Sequence, residues 1–504
     1  MLLVLLLAAS AVTATSCSGE SNADVDATTP AETENSASDE GETTEQRLEP
    51  DLPDITFTGE SMNFYGYRVV DIEPYFFDIY SEGETGEPLN DAVFQRNRTI
   101  EERYDITINY TEDYYTNFND NIKANVMAGD NIYDVLLPMG HCFAHLYSSN
   151  VFYNLHDIEY LNFENPWWDQ KAVEAFTLAG YMPITVSDIN INSMGVAAAV
   201  FFNKKLVEDY DVGNLYEEVY NNTWTIETMI QKGKLVSDDL NGDSKFDDND
   251  RYGIVCYDDP VAMLFASCGG TIIDKDADGY PVLSFATQAN FDAIQYYLEN
   301  LMYDELLTRN NAYVPDSVLP IDLFKTDHGL FYFGFLEYAD LMRDMESDFG
   351  ILPVPKYSTE QEYRSVVSVF DGSLIAVPVT VQNTEKIGVI LEAMSAESMY
   401  TVVPALYETV LKDKATRDQE SIDMLDIIIN NKSYDVGHYF DLAGFPDLFL
   451  RITGSVHDNN VNASYPARTS NIASFYEKYE KKLEKALEKL IKIIDEWNGI
   501  ENQT

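Results

Sequence analysis

The sequence predicts an α/β protein built as two lobes, and two observations carry the prediction. From Phe57 onward, short apolar runs of strand length alternate with helical spacings of apolar residues, an order that gives mostly parallel sheets flanked by helices. The chain also has 504 residues, 45% of them hydrophobic, which is more than one core ordinarily organises.

Ahead of that body, Leu2 to Val12 is a run rich in leucine and alanine, too short to span a bilayer. The small residues Ala14, Thr15 and Ser16 follow, and then Cys17. Residues 1–17 thus resemble a lipoprotein signal peptide, with Cys17 as the lipidated first residue of the mature chain. No Lys or Arg precedes the apolar run, and Ala14 stands where the pattern usually has Leu. Ser18 to Asp54 then holds twelve acids, one basic residue (Arg47) and no aromatic. Such a stretch cannot bury enough surface to offset its ordering entropy, so residues 18–56 read as a disordered acidic tether.

The body opens with Arg68-Val69-Val70 as a first strand. A helix follows from about Asn90, and Ile106, Ile108 and Tyr110 alternate as a second strand. Asn121 to Ala128 reads as a helix, and Tyr133 to Leu137 as a buried strand entering the loop Pro138-Met139-Gly140-His141. In such folds ligands sit beyond the carboxyl ends of strands, which directs attention to the loops after Val70 and Leu137. Next comes Asn165-Pro166-Trp167-Trp168-Asp169. Adjacent tryptophans point in different directions, so one faces a groove where its indole stacks on a sugar, unless both anchor the loop. Tyr181 to Asn192 reads as a strand with Asp188, Asn190 and Asn192 on one solvated or ligand-facing side.

Val196 to Phe202 is a small, apolar run of strand length, ended by Asn203-Lys204-Lys205, and Leu206, Val207 and Tyr210 begin a helical spacing. Thr225 is placed to cap a helix through Ile226, Met229 and Ile230. The sharpest local motif follows. Asp239, Asn241, Asp243, Asp247 and Asp250 put oxygen donors at loop positions 1, 3, 5, 9 and 12, and Lys245 offers its carbonyl at position 7. This is the spacing of an EF-hand or dockerin-type calcium loop, with Ser244 in place of the usual Gly and Asp250 in place of the usual Glu. A structural calcium is expected there. Asp274 to Gly279 starts like a second loop, but Phe285 stands at its position 12, so it reads as a hairpin turn. Phe291 to Leu307 reads as a helix, and Asp327 to Tyr338 as an apolar strand broken by Gly334. Ser470 to Trp497 reads as one long amphipathic helix docked on the second lobe.

Taken in order, several segments resemble bacterial extracellular solute-binding proteins of ABC transporters, the carbohydrate-type family 1. They are GDNIYDVLLPMG, the strand Val196 to Phe202 with its Asn-Lys turn, the Thr223-Trp224-Thr225 helix start, the strand around Gly334, and Gly350-Ile351-Leu352-Pro353-Val354-Pro355. The resemblance spans roughly Phe57 to Trp497, and it is the order of weak motifs that carries it. It implies a two-lobed, periplasmic-binding-protein-like fold of type II, with Val196 to Phe202 and Val366 to Pro378 crossing between lobes and Thr384 to Ala396 as a returning helix. Lobe 1 is then 57–196 with 374–430, and lobe 2 is 197–373 with 431–504. It further implies a ligand cleft reached by Trp167, Trp168, Asp188, Asn190, Asn192, Phe335, Glu337 and Tyr338, and by Arg468 on the loop Tyr465 to Thr469. The tryptophan often found near the position of Gly334 is absent here.

Charge narrows the partners. Lysine and arginine number 32 against 86 acids, a net charge of −54, so nothing neutralises a run of phosphates, and no basic surface docks on anionic lipid. Strong acidity does concentrate cations near the surface. Cys142, Cys256 and Cys268 lie in mostly apolar sequence and read as buried thiols rather than a disulfide framework. The chain has no GxSxG, HExxH or P-loop, and no catalytic residue is expected. The leading expectation is a monomeric receptor, anchored through Cys17 to the extracellular face of a Gram-positive cell membrane, that hands a sugar to ABC permease subunits. A calcium-dependent surface adhesin or scaffold is the alternative. A secreted glycosidase is a weaker one, since 86 acids make some carboxylate pair inevitable.

Overall fold

The computed structural model describes residues 47–68, 77–81, 83–310, 317–410, 419–453 and 468–499. Cys17 and the leader, the tether as far as residue 46, Val69-Val70 and Tyr465-Pro466-Ala467 lie outside the described residues. In chain order the strands are β1 (Ser61–Arg68), β2 (Thr107–Tyr114), β3 (Val135–Leu137), β4 (Ala198–Asn203), β5 (Tyr252–Cys256) and β6 (Ile273–Lys275). Then come β7 (Pro281–Leu283), β8 (Thr308–Asn310), β9 (Gly329–Phe335), β10 (Phe349–Leu352), β11 (Ser365–Val366) and β12 (Lys432–Ser433).

Two sheets organise two lobes. In the first, β2, β1 and β3 pair in parallel in that order, with Phe64 opposite Tyr110 on one side and Val135 on the other. In the second, the order is β10-β4-β9-β5-β8. There β4 is antiparallel to both neighbours, while β9, β5 and β8 run in parallel. Strands β5 and β9 are short, largely apolar and buried throughout, as burial on both faces demands.

Helix Pro88–Tyr104 starts on a proline and buries Leu89, Val93, Arg96, Ile100 and Tyr104, a 3.6-period stripe. It ends on Asp105, whose left-handed φ of 49° lets its N–H reach the Glu101 carbonyl. Its stripe packs along helix Thr384–Val410. That long helix is apolar enough to cross a membrane by length and composition, but most of it is buried inside the protein. Ile387, Ile390, Leu391 and Met394 join the core that holds Phe64 and Leu136. Val402, Leu406 and Val410 join a second core with Phe201, Tyr332 and Phe349 of the second sheet, and Pro404 sits inside the helix.

Several local expectations hold. Thr225 accepts from the Thr228 N–H at 3.2 Å and caps helix Ile226–Lys234. Asp276 to Gly279 turns the antiparallel hairpin β6–β7. Cys142, Cys256 and Cys268 are free thiols, the first two buried. Others are corrected. The segment from Tyr181 is tied only by isolated bridges and then turns into helix Ile191–Gly195, so Asp188, Asn190 and Asn192 do not share one strand face. Strand β9 runs unbroken through Gly334, whose missing side chain makes room for the rings of Tyr338 and Tyr332. The helix expected from Phe291 is Gln288–Tyr297 followed by a π-helical turn, Leu298–Met302. The returning helix continues past Ala396 to Val410. Helix Gln419–Asn430, assigned by sequence to lobe 1, packs on β10 of the second sheet. The terminal helix is two helices, Ile472–Glu477 and Glu480–Trp497. The second lies along β7, and its Trp497 stacks on Tyr181 at 4.7 Å.

Candidate functional site

Strand β1 stands between β2 and β3, so the strand order reverses at β1, and the carboxyl ends of β1 and β3 open a crevice there. Gly66 near the end of β1 admits the Tyr110 ring from β2, since a Cβ would lie 2.4 Å from the Tyr110 hydroxyl oxygen. A small recess follows, lined by Tyr67, Phe77, Asp78, Tyr110, Asn192 and Ser373. Phe77 and Tyr80 are 39% and 43% exposed and meet edge to face at 5.4 Å. Phe370, 41% exposed, lies 5.6 Å from the His141 ring on helix Gly140–Leu146, which follows β3. Large aromatic faces held open in this way are ready to stack on a ligand.

Hydrogen bonds fix the floor of the crevice. Asp78 accepts from the Asn192 N–H at 2.9 Å and so holds the start of helix Ile191–Gly195. Burial pushes the Asp78 carboxyl up to about 6, with Ser373, Asn192 and the Arg96 charge opposing the rise. Arg96, fully buried, donates to the Asp78 carbonyl at 2.7 Å and to the Ser398 hydroxyl at 3.1 Å. Asn190 donates to the Ser373 hydroxyl at 3.1 Å, and Tyr67 donates its hydroxyl to the Asp371 carbonyl. These ties hold the segment Asp371 to Ser373 against the end of β1 and the start of helix Ile191–Gly195.

The second lobe contributes the ends of two parallel strands. Tyr257, Asp258 and Asp259 follow β5, and Glu337 and Tyr338 follow β9. The Glu337 N–H donates to the Gly195 carbonyl at 2.8 Å, while its Oε2 has no partner although the residue is only 4% exposed. Burial and the charge of Asp371 push the Glu337 carboxyl up to about 8. Burial, then Asp258 and Asp371, raise Asp259 to about 7. Burial also raises Asp371, whose carboxylate accepts from the Ser368 hydroxyl at 2.7 Å. Burial, with the charges of Asp259, Asp371 and Glu337, raises the Tyr338 hydroxyl. Beside them the Asn192 carboxamide, 2% exposed, has neither its oxygen nor its nitrogen paired. Buried polar atoms left without partners are costly, and here they mark where a ligand's own donors and acceptors belong.

The residues expected from sequence divide. Asn192 lines the recess, the Glu337 N–H is bonded to the Gly195 carbonyl at the end of the helix that carries Asn192, and Phe335, almost buried, packs edge to face against Tyr338 at 5.7 Å. Asn190 is buried and structural, its Oδ1 accepting from the Ser187 N–H at 3.0 Å. Asp188 sits beside Asp169 and Lys432, where burial lifts it to about 8, with Lys432 opposing and Asp169 adding. Trp167 and Trp168 are 0% and 1% exposed. Stacking on a sugar from a groove is corrected for both, because both indole N–H groups point inward to Glu392. Arg468 is corrected too. It pairs with Glu305 at 2.9 Å and lies over the Tyr303 ring, at the amino end of β8, away from the ends that line the crevice. Sequence reasoning missed Phe77, Tyr80, Asp259, Phe370 and Asp371, and among 86 acids and 26 phenylalanines no local pattern distinguishes them.

The calcium motif keeps its chain of turns. Asp239 accepts from the Gly242 and Ser244 N–H groups, Asn241 from Asp243, and Asp243 from Lys245, at 2.7–2.8 Å. Asp247 accepts from the Asn249 N–H at 2.9 Å, and Asp250 from the Leu240 and Asp247 N–H groups. The donors are the oxygens calcium takes. Among the described residues, however, no three His, Cys, Asp or Glu side chains are gathered as a metal would require.

No protein-family model matches the chain, and no curated protein matches it. Solved structures do. The chain is similar to the cyclic α-maltosyl-1,6-maltose binding protein of Arthrobacter globiformis, at 12% identity and a TM-score of 0.56, over 85% of this chain and 98% of that one. It is similar to the GacH receptor of Streptomyces glaucescens, solved unliganded and with acarbose, at 12% identity and a TM-score of 0.52, over 84% and 98%. A Listeria monocytogenes ABC substrate-binding protein in complex with cycloalternan matches at 13% identity and a TM-score of 0.51, over 88% and 100%. Likeness at this identity establishes the fold, an α/β protein of two lobes like the periplasmic binding proteins.

Proposed function

We propose that the protein is the extracellular solute receptor of an ABC importer and that it captures a carbohydrate in the cleft between its lobes. The observation that carries the reading is the crevice itself. Phe77, more than a third exposed, and the buried, unpaired Asn192 carboxamide line one recess, and Glu337, whose Oε2 is buried and unpaired, is bonded to the helix that carries Asn192. Sugars present C–H faces to aromatic rings and hydroxyls to carboxylates and amides, and this arrangement suits both. The solved structures of the same fold bind cyclic maltosyl-maltose, acarbose and cycloalternan, which supports a saccharide. Ligand that binds the closed arrangement better than the open one shifts the protein toward closure, the form a permease would read. A lipid on Cys17, followed by the acidic tether, would keep the receptor at the outer face of the membrane. Calorimetric titration of the full chain against a panel of mono- and oligosaccharides tests the reading. Saturable binding, with the sugar recovered unchanged, is expected. Hydrolysis of the sugar would move the assignment to a glycosidase, and a panel without any binder would end the carbohydrate reading.

Calcium in the loop Asp239 to Asp250 belongs to the same proposal as a structural ion. The chain of Asx turns supports it, and no step of solute capture runs through it.

A further inference from the structure

A cavity of about 50 Å³ lies between helix Pro260–Ser267, which follows β5, and the short parallel ladder β11–β12. It shares no lining residue with the recess beside β1. Val366 and Ser433 are register partners in the ladder, so their side chains stand together on one face, and both line the cavity. Asp435 caps helix Val436–Tyr439 through the Gly437 N–H and accepts from the Ile272 N–H at 2.6 Å and the Ile273 N–H at 3.3 Å. That brings His438 and Ile272 to the same wall, and Phe265 and Phe449 complete it with apolar faces.

Three polar groups in this lining stand without partners. Ser433 Oγ and His438 Nε2 are buried and make no hydrogen bond. Arg364 makes no hydrogen bond, ion pair or ring contact among the described residues. Each of the other described arginines has at least one. In a chain with 86 acids against 32 basic residues, an acid is the neighbour an arginine finds most readily. The one acid in the lining, Asp435, is already committed to three backbone N–H groups. Burial holds His438 down at about 4, so it is neutral near pH 7 and its Nε2 can donate without adding charge.

A guanidinium fork beside two neutral donors matches a carboxylate, whose oxygens accept on every side. The cavity has room for about three or four water-sized groups, the size of acetate, and its apolar walls suit a methyl end. We infer that this cavity is a second binding site, separate from the solute crevice, for a small carboxylate held by Arg364, Ser433 and His438. The inference does not depend on which solute the crevice takes.

The test is calorimetric titration of the full chain, at about pH 7, with acetate, acetamide and sulfate. Acetate is expected to saturate one site. Acetamide, which has the shape without the charge, and the tetrahedral sulfate should each bind at least about tenfold more weakly. Arg364→Gln should weaken acetate about tenfold or more, and Ser433→Ala by a smaller factor. Both variants should melt close to the parent and bind saccharides as the parent does, because neither residue lines the crevice. Should Arg364→Gln fail to fold, the loss of acetate affinity in Ser433→Ala carries the test. Acetate and acetamide bound alike overturn the role of charge and reduce the site to a hydrated cavity. A preference for sulfate overturns the carboxylate. Acetate binding unchanged in both variants overturns the assignment to this cavity, and the absence of saturable acetate binding overturns the inference.

Discussion

Trp168 donates its indole N–H to Glu392 Oε2 at 2.8 Å, and the adjacent Trp167 donates to Oε1 of the same carboxylate at 3.0 Å. The Asn165 carboxamide and the Asn162 N–H complete four donors on one buried acid. The loop is thereby fastened to helix Thr384–Val410. Burial raises the Glu392 carboxyl, and the four donors resist that rise. Glu392→Ala leaves both buried indole donors unpaired in the core and should lower stability by about 3 kcal/mol. Urea denaturation measures the loss, and solute affinity of the remaining folded protein should be unchanged.

The buried acids Glu337 and Asp259 predict a pH signature. Glu337 moves from its ordinary 4.5 up to about 8, and Asp259 from 3.8 to about 7. Across that window the folded state binds more protons than the unfolded state, so these two groups make stability fall as pH rises. Their unfavourable share is absent below pH 3.8 and complete only above about 8. Denaturation midpoints of the solute-free protein between those limits should decline more steeply for the parent than for Glu337→Gln. Parallel profiles would remove Glu337 as a source.

Aromatic faces at the mouth of the crevice should matter for binding and little for folding. Phe77→Ala, Tyr80→Ala and Phe370→Ala each remove a ring that is more than a third exposed. Each should cost about 0.5–1.5 kcal/mol of solute affinity, roughly a twofold to tenfold rise in Kd. Melting temperatures should stay close to the parent. Trp168→Phe should do the reverse, because its ring is in the core.

For the loop Asp239 to Asp250, calcium should raise the melting temperature of the parent, and a chelator should lower it again. Asp243→Ala should abolish the calcium response while changing the metal-free stability by less than about 1 kcal/mol, since this exposed side chain accepts only the Lys245 N–H. Magnesium is the control, because it keeps its water and suits an octahedral site instead. An identical melting temperature with and without calcium would reduce the motif to a hydrogen-bonded turn.

What was legible in the sequence was local. The apolar run before Asn203 gives β4, Thr225 gives a helix start, and Asp276 to Gly279 gives a hairpin, because the residues that decide each lie within a few positions of one another. The tryptophan pair was misread because its partner, Glu392, lies 224 residues beyond Trp168. Arg468 carries no sign in its own neighbourhood that Glu305 and Tyr303 would claim it. The alternation at Asp188, Asn190 and Asn192 was real as a pattern, but Asp78, more than a hundred residues earlier, pins a helix start at Asn192. In the crevice the informative property is burial without a partner, at Asn192 and at Glu337 Oε2, and it is visible only once the chain is folded.

Helix Thr384–Val410 is clamped at both ends in different material: its first turns in the core with Phe64, its last turns in the core with Phe201 and Phe349. A rod held that way resists bending unless it contains a soft point. Pro404 supplies one, because it has no N–H for the Tyr400 carbonyl and its ring presses on that same turn. The weakened turn lies inside the second clamp, between Val402 and Leu406, so side-chain packing rather than the backbone ladder keeps the helix straight there.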